Sequence, residues 1–221
     1  MLVGVLLLGA DVAAQTEELR NDGFESGQPV SFQAGFVEGE IGAVRLVPTL
    51  SCPCRVESVS LLFGGAGGTL PILLRIWDDA AGNVEPGTPI YVDSFQLTGL
   101  NNALQVIDPS PTNVIVNGPF RVGIEFTHSG LPSIARDGDG NIHANANFIL
   151  AEFAPFGFFW FRSADLGVTG DWVIRATISQ VAVAPQVPLL AVWGTGALVA
   201  LMLASGALAL RWHRIAPAPA A

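Results

Sequence analysis

Asp137-Gly138-Asp139-Gly140-Asn141-Ile142-His143 is the stretch whose residue types and spacing come nearest to a chemistry. Oxygen-bearing side chains alternating with glycine can wrap a hard cation, and Asp137, Asp139 and Asn141 are the candidate Ca²⁺ ligands. The loop is not an EF-hand, because its sixth position is Ile142 rather than Gly and its twelfth is Phe148 rather than Glu. Asp-Gly pairs are also strong turn signals, so the alternative is a solvated hairpin turn. Asp78 to Gly87 is a second loop of the same acidic, turn-rich make-up. Between them in chemical interest lie Phe153, Phe156, Phe158, Phe159, Trp160 and Phe161. Facing outward these rings form a sugar-stacking or surface-docking platform; facing inward they form a core strand and its loop, and strand alternation allows some of each.

Signatures of catalysis are missing from the sequence. It contains no G-x-S-x-G elbow, H-E-x-x-H zinc helix or P-loop, and neither His128 nor His143 sits in a catalytic signature. No catalytic residue is assigned. Asp137 with Glu152 is the one carboxylate pair considered for glycosidic cleavage, which depends on their separation in space. Gly64-Gly65-Ala66-Gly67-Gly68 follows a strand pattern but no helix pattern follows it, so it reads as a hairpin turn rather than a phosphate loop. Cys52 and Cys54 are the only cysteines; they form a C-x-C bridge or stay as free or intermolecular thiols, and they cannot complete a cysteine zinc site.

The elements that must carry these residues are strands. Phe120, Val122, Ile124 and Phe126 alternate with Arg121, Gly123 and Glu125, and Trp172, Ile174, Ala176 and Ile178 repeat that period. Further strands are expected at Val56 to Phe63, Pro71 to Trp77, Ile90 to Leu97, Val114 to Val116, Phe148 to Phe153 and Phe158 to Phe161. Asn21 to about Gly42 is read as a first strand with its leading loop. Many short strands with turn signals about every ten residues predict an all-β, antiparallel, jelly-roll-like β-sandwich over residues 15–180.

Composition agrees with one such domain. Half of the 221 residues are apolar and 13% are charged, with 25 Gly and 15 Pro, a profile unlike disordered or coiled-coil chains. All ten basic residues are Arg and the net charge is −9. An acidic chain without a basic stripe repels phosphate backbones, which argues against nucleic acid and for neutral polymers or divalent cations.

The ends set the expected location. Residues 1–14 read as a signal peptide, with an apolar core from Leu2 to Ala10 and a small-residue cleavage site at Ala13-Ala14, although no positive residue precedes the core. After a 181–186 linker, residues 187–210 carry no charge and span about 36 Å as a helix, enough for one membrane crossing. Arg211 and Arg214 then act as a membrane stop and place the 211–221 tail in the cytoplasm, with the sandwich outside. Between the ends, residues 16–186 hold eight Arg against 18 acids, a net of −10.

Val187, Pro188, Leu190, Trp193 and Gly194, followed by an apolar run and then Arg, resemble the IPTL-CTERM sorting signal of exported bacterial proteins, with Leu189 where that pattern has Thr. The resemblance covers about the last 30 residues. It implies a Gram-negative envelope protein, held in the bacterial membrane by its tail or cut there by an exosortase-like enzyme. Asp165 to Trp172 loosely resembles uncharacterised sandwich domains of secreted bacterial proteins. The function expected from all this is non-catalytic binding or structural work at the cell surface, with a surface glycan or matrix as partner. The alternatives are a secreted polysaccharide hydrolase and a calcium-rigidified structural module.

Overall fold

The computed structural model describes residues 14–139, 141–143 and 145–181. The signal segment up to Ala13, the linker beyond Val181, the sorting motif, the 187–210 span and Arg211 and Arg214 lie outside the described residues. Among the described residues no helix is long and apolar enough to cross a membrane.

The chain is all-β. In order it forms β1 (Thr16–Leu19), β2 (Val30–Phe32), β3 (Ile41–Leu46), β4 (Cys54–Leu61), β5 (Phe63–Gly64), β6 (Thr69–Asp78) and β7 (Pro89–Thr98). Then come β8 (Gln105–Ile107), β9 (Ile115–Val116), β10 (Phe120–Phe126), β11 (Ser133–Asp137), β12 (Asn147–Phe153), β13 (Gly157–Arg162) and β14 (Ile174–Gln180). All pairings are antiparallel. One sheet runs β13-β12-β3-β10-β6-β7; a second runs β1-β14-β4-β8, with β9 also on β4; a small third runs β2-β11-β5.

Two-residue periodicity makes the sandwich. On β10, Phe120, Val122, Ile124 and Phe126 are buried in the main core together with Ile72, Leu74 and Ile76 of β6. The same core takes Val56, Val59 and Leu61 from β4 and Ile174, Ala176 and Ile178 from β14, so the two large sheets share one apolar interior. Phe36 stacks on Phe126 with centroids 4.4 Å apart and lies 5.8 Å from the buried Trp172 ring, closing one end of that interior. Each such ring withdrawn from water contributes about 1.5–3 kcal/mol, which a sheet exposed on both faces would forgo.

Two loops differ from their expected form. Gly64 to Gly68 does not close a hairpin: β4 belongs to the five-stranded sheet and β6 to the six-stranded one, so the segment crosses between layers. Gly64 is packed against Leu100, where a Cβ would meet the Leu100 carbonyl oxygen at 2.5 Å, so the crossover needs a residue without a side chain. The loop after Asp137 likewise joins different sheets, from β11 to β12, instead of returning on its own strand. The expected first strand between Asn21 and Gly42 is also displaced: β1 precedes it, β2 is three residues long, and β3 begins only at Ile41.

Candidate functional site

The outer face of the six-stranded sheet, turned away from the shared core, is divided in two. Register places Arg121 beside Arg45 and Trp77, and Gly123 beside Ala43 and Arg75. Leu150 faces Trp160, and Glu152 faces Phe158. Five strands therefore bring residues far apart in sequence onto one surface.

In its open half lies a concavity of about 440 Å³ lined by Gly39, Ile41, Trp77, Leu150, Phe158 and Trp160, with Arg75 and Glu125 on its polar wall. Trp160 stands edge-on to Trp77, with centroids 5.7 Å apart and rings at 90°. Glycine shapes the floor. A Cβ on Gly123 would meet Ile41 Cγ2 at 2.8 Å and the Trp77 ring at 2.9 Å, so the bare backbone lets the indole lie flat. Gly39, at φ +88°, lies under the Phe158 ring, which a Cβ would approach to 3.0 Å. Phe158 is 44% exposed. Arg75 Nε donates to Glu125 Oε2, and the two side chains stay 33% and 19% exposed.

The closed half is covered by the Asp78 to Gly87 loop. Arg121, fully buried, donates from Nε to Asp79 Oδ2 at 2.9 Å and from its two terminal nitrogens to the Val84 and Asn83 carbonyls at 2.7 Å each. Its guanidinium lies 3.6 Å over the Phe148 ring and 5.3 Å from Trp160. Burial raises the Asp79 carboxyl and lowers the Arg121 guanidinium, each against the attraction of its partner. Arg45 Nε also donates to the Asp79 carbonyl at 3.1 Å, so the acidic loop noted in the sequence is a strap held down by two arginines.

Asp137 ends β11 and is buried. Its Oδ2 accepts from Gly23 N at 2.8 Å and its Oδ1 from Asp171 N at 2.9 Å. Burial pushes the Asp137 carboxyl up, a push that these two main-chain donors oppose and that Asp139 and Asp171 reinforce. Asp139 accepts from Asn141 N at 2.7 Å in a local turn. Asp139 and Asn141 are therefore the loop's outward oxygens, and a hard cation there would draw further ligands from carbonyls or water. Asp137 and Glu152 lie on different sheets, with Asp137 turned to main-chain donors.

One pairing escaped sequence reading. Fully buried Asp171 receives His143 Nδ1 on Oδ2 at 2.8 Å and His143 N on Oδ1 at 2.9 Å, while Asn147 Nδ2 also donates to Oδ1. Asn147 Oδ1 accepts from Trp172 N at 3.0 Å, and Trp172 Nε1 donates to Ser163 Oγ at 3.1 Å. His143 thereby keeps its ring fixed with its side chain 57% exposed. His128 is different: its Nε2 meets the Pro132 carbonyl at 2.8 Å between the rings of Phe63 and Phe126. Cys52 and Cys54 are joined as a disulfide.

The crowded aromatics divide as strand alternation requires. Phe158 and Trp160 face the concavity, Phe161 packs against the core, and Phe153, Phe156 and Phe159 are exposed. Trp77, Arg75 and Glu125 complete the site from β6 and β10. The signal for them was present: on β6 the core residues Ile72, Leu74 and Ile76 leave Leu73, Arg75 and Trp77 for the other face.

No family model matches the chain, and no curated protein matches it in sequence. Solved structures to which the chain shows a distant likeness include two of the protein Cwp84. The clostridial cysteine protease Cwp84 after propeptide cleavage is 12% identical with a TM-score of 0.46, covering 78% of this chain and 41% of that one. The cysteine protease and lectin-like domains of Cwp84, a surface layer associated protein of Clostridium difficile, are 13% identical with a TM-score of 0.43, covering 66% of this chain and 33% of that one. The chain spans less than half the length of either.

Proposed function

We propose that this is an exported bacterial envelope protein whose β-sandwich binds at the cell surface, sorted or anchored through its IPTL-CTERM-like tail. The observation that carries the binding role is the open aromatic concavity on the outer face, since a recess lined by rings with a few polar groups is the usual form of a ligand site. The Cys52–Cys54 disulfide supports export, because such bonds persist in oxidising compartments. First and last strands side by side, with the chain passing repeatedly between the two large sheets, support a jelly-roll-like version of the sandwich.

The competing reading, a calcium-rigidified module, rests on Asp139 and Asn141, and a higher melting temperature in Ca²⁺ than in EDTA would favour it. Export is tested directly. The full chain, expressed in a Gram-negative host, is expected to be digested by protease added to spheroplasts and to leave the membrane fraction when residues 187–221 are deleted. Protection from the protease would overturn the reading.

A further inference from the structure

Resting on the surface-binding reading, we infer that the concavity takes an uncharged pyranose of a glycan chain, stacked on Phe158 and Trp160 and hydrogen-bonded by Arg75 and Glu125. Its volume, about 440 Å³, lies within the roughly 300–1,000 Å³ of small-ligand sites. The aromatic half of the lining offers flat apolar surface to the C–H face of a ring. On the polar half, Arg75 Nε to Glu125 Oε2 is the one side-chain hydrogen bond that either residue makes among the described residues. Further N–H donors of the guanidinium and the second carboxylate oxygen are left for a ligand.

That combination selects among ligand classes. A purely aliphatic ligand would desolvate the ion pair without replacing its hydrogen bonds. An anionic ligand would meet Glu125 at the wall and an exported segment of net charge −10 around it. A cation would meet Arg75. A sugar ring has apolar faces and, along its edge, vicinal hydroxyls that both donate and accept, which suits a donor and an acceptor held side by side. The site is also preformed: Gly39 and Gly123 let Phe158 and Trp77 lie against bare backbone, and Trp160 is braced edge-on by Trp77.

The test uses the purified full chain in a sugar-free detergent, with cellohexaose, maltohexaose and chitohexaose as probes and saturation-transfer NMR and calorimetry as readouts. At least one probe is expected to bind, with Phe158→Ala and Trp160→Ala each weakening it about tenfold and Phe156→Ala, a more exposed ring outside the concavity, changing it by less than about twofold. Near-ultraviolet circular dichroism shows whether each variant is folded, and Phe158, the more exposed ring, carries the test if Trp160→Ala unfolds. No binding of any probe overturns the inference, as does binding that both groove variants leave unchanged. In that second case the surface-binding reading survives, whereas protease protection in spheroplasts removes that reading and leaves a measured groove affinity standing.

Discussion

The two halves of the outer sheet face carry the same kinds of group, arginine, a carboxylate and aromatic rings, yet treat them in opposite ways. Every nitrogen of the Arg121 guanidinium donates to protein, and the side chain is fully buried under the loop. Around Arg75 the ion pair stays partly solvated and the Phe158 ring is left in reach of solvent, while Trp77 is buried beneath. Hydrogen-bond satisfaction, rather than residue type, separates the two clusters.

The sharpest way to break this comparison is to remove the buried cation. Arg121→Ala leaves buried Asp79 with only the longer 3.7 Å contact to Arg45 and the Asn83 and Val84 carbonyls without donors, and is expected to cost about 3–5 kcal/mol in urea unfolding. A loss below about 1 kcal/mol, as for an exposed pair, would erase the distinction between the halves. Asp171→Asn should cost about 1–3 kcal/mol by leaving His143 or Asn147 without an acceptor, readable by thermal unfolding and by loss of the His143 ring constraint in NMR. Gly123→Ala comes next. The added methyl must displace Ile41 or Trp77, and about 1–3 kcal/mol of overpacking should appear together with a changed indole signal in near-ultraviolet circular dichroism.

On the open side the expected stability effect is smallest. Glu125→Gln should change unfolding free energy by less than about 1 kcal/mol, because the pair is still partly solvated. A subtler comparison uses pH. Burial holds the Asp137 carboxyl above its ordinary 3.8, so between that value and its folded pKa the folded chain binds more protons than the unfolded one. The contribution of this group to stability is therefore full below pH 3.8 and declines as pH rises through the folded pKa. Asp137→Asn should lack that decline, and unfolding free energies of chain and variant that run parallel across the acid range would refute the assignment.

Much of the frame was written in the alternation of long strands. Phe120 to Phe126 reads as a strand because every second residue is large and apolar, and it is one. Thr16–Leu19, with Glu17 and Glu18 adjacent, has no such rhythm; its place is fixed by β14 on one edge, so local pattern could not reveal it. β11 was hidden in another way. Four of its five residues are buried, including Ser133 and Asp137, so no polar face marks it. Of the candidate site, Phe158 and Trp160 were legible as a crowd of rings. Their partnership with Trp77, Arg75 and Glu125 was not, because it comes from strand order across the sheet, which sequence periodicity does not encode. The loop at Asp137 was recognised as special for its oxygens, while its closest relation, Asp171 with His143, is separated by 28 positions and became visible only in three dimensions.

The position of β14 has a mechanical consequence. Its residues pair with β1 on one side and β4 on the other, Thr16 stands opposite Ser179, and Val181 N is held by the Pro53 carbonyl. Any tension arriving through the chain beyond Val181 enters a strand gripped on both flanks, whose ladders share the load as parallel arrays of main-chain bonds. A tether attached there would pull on a strand clamped along both flanks rather than on a free edge.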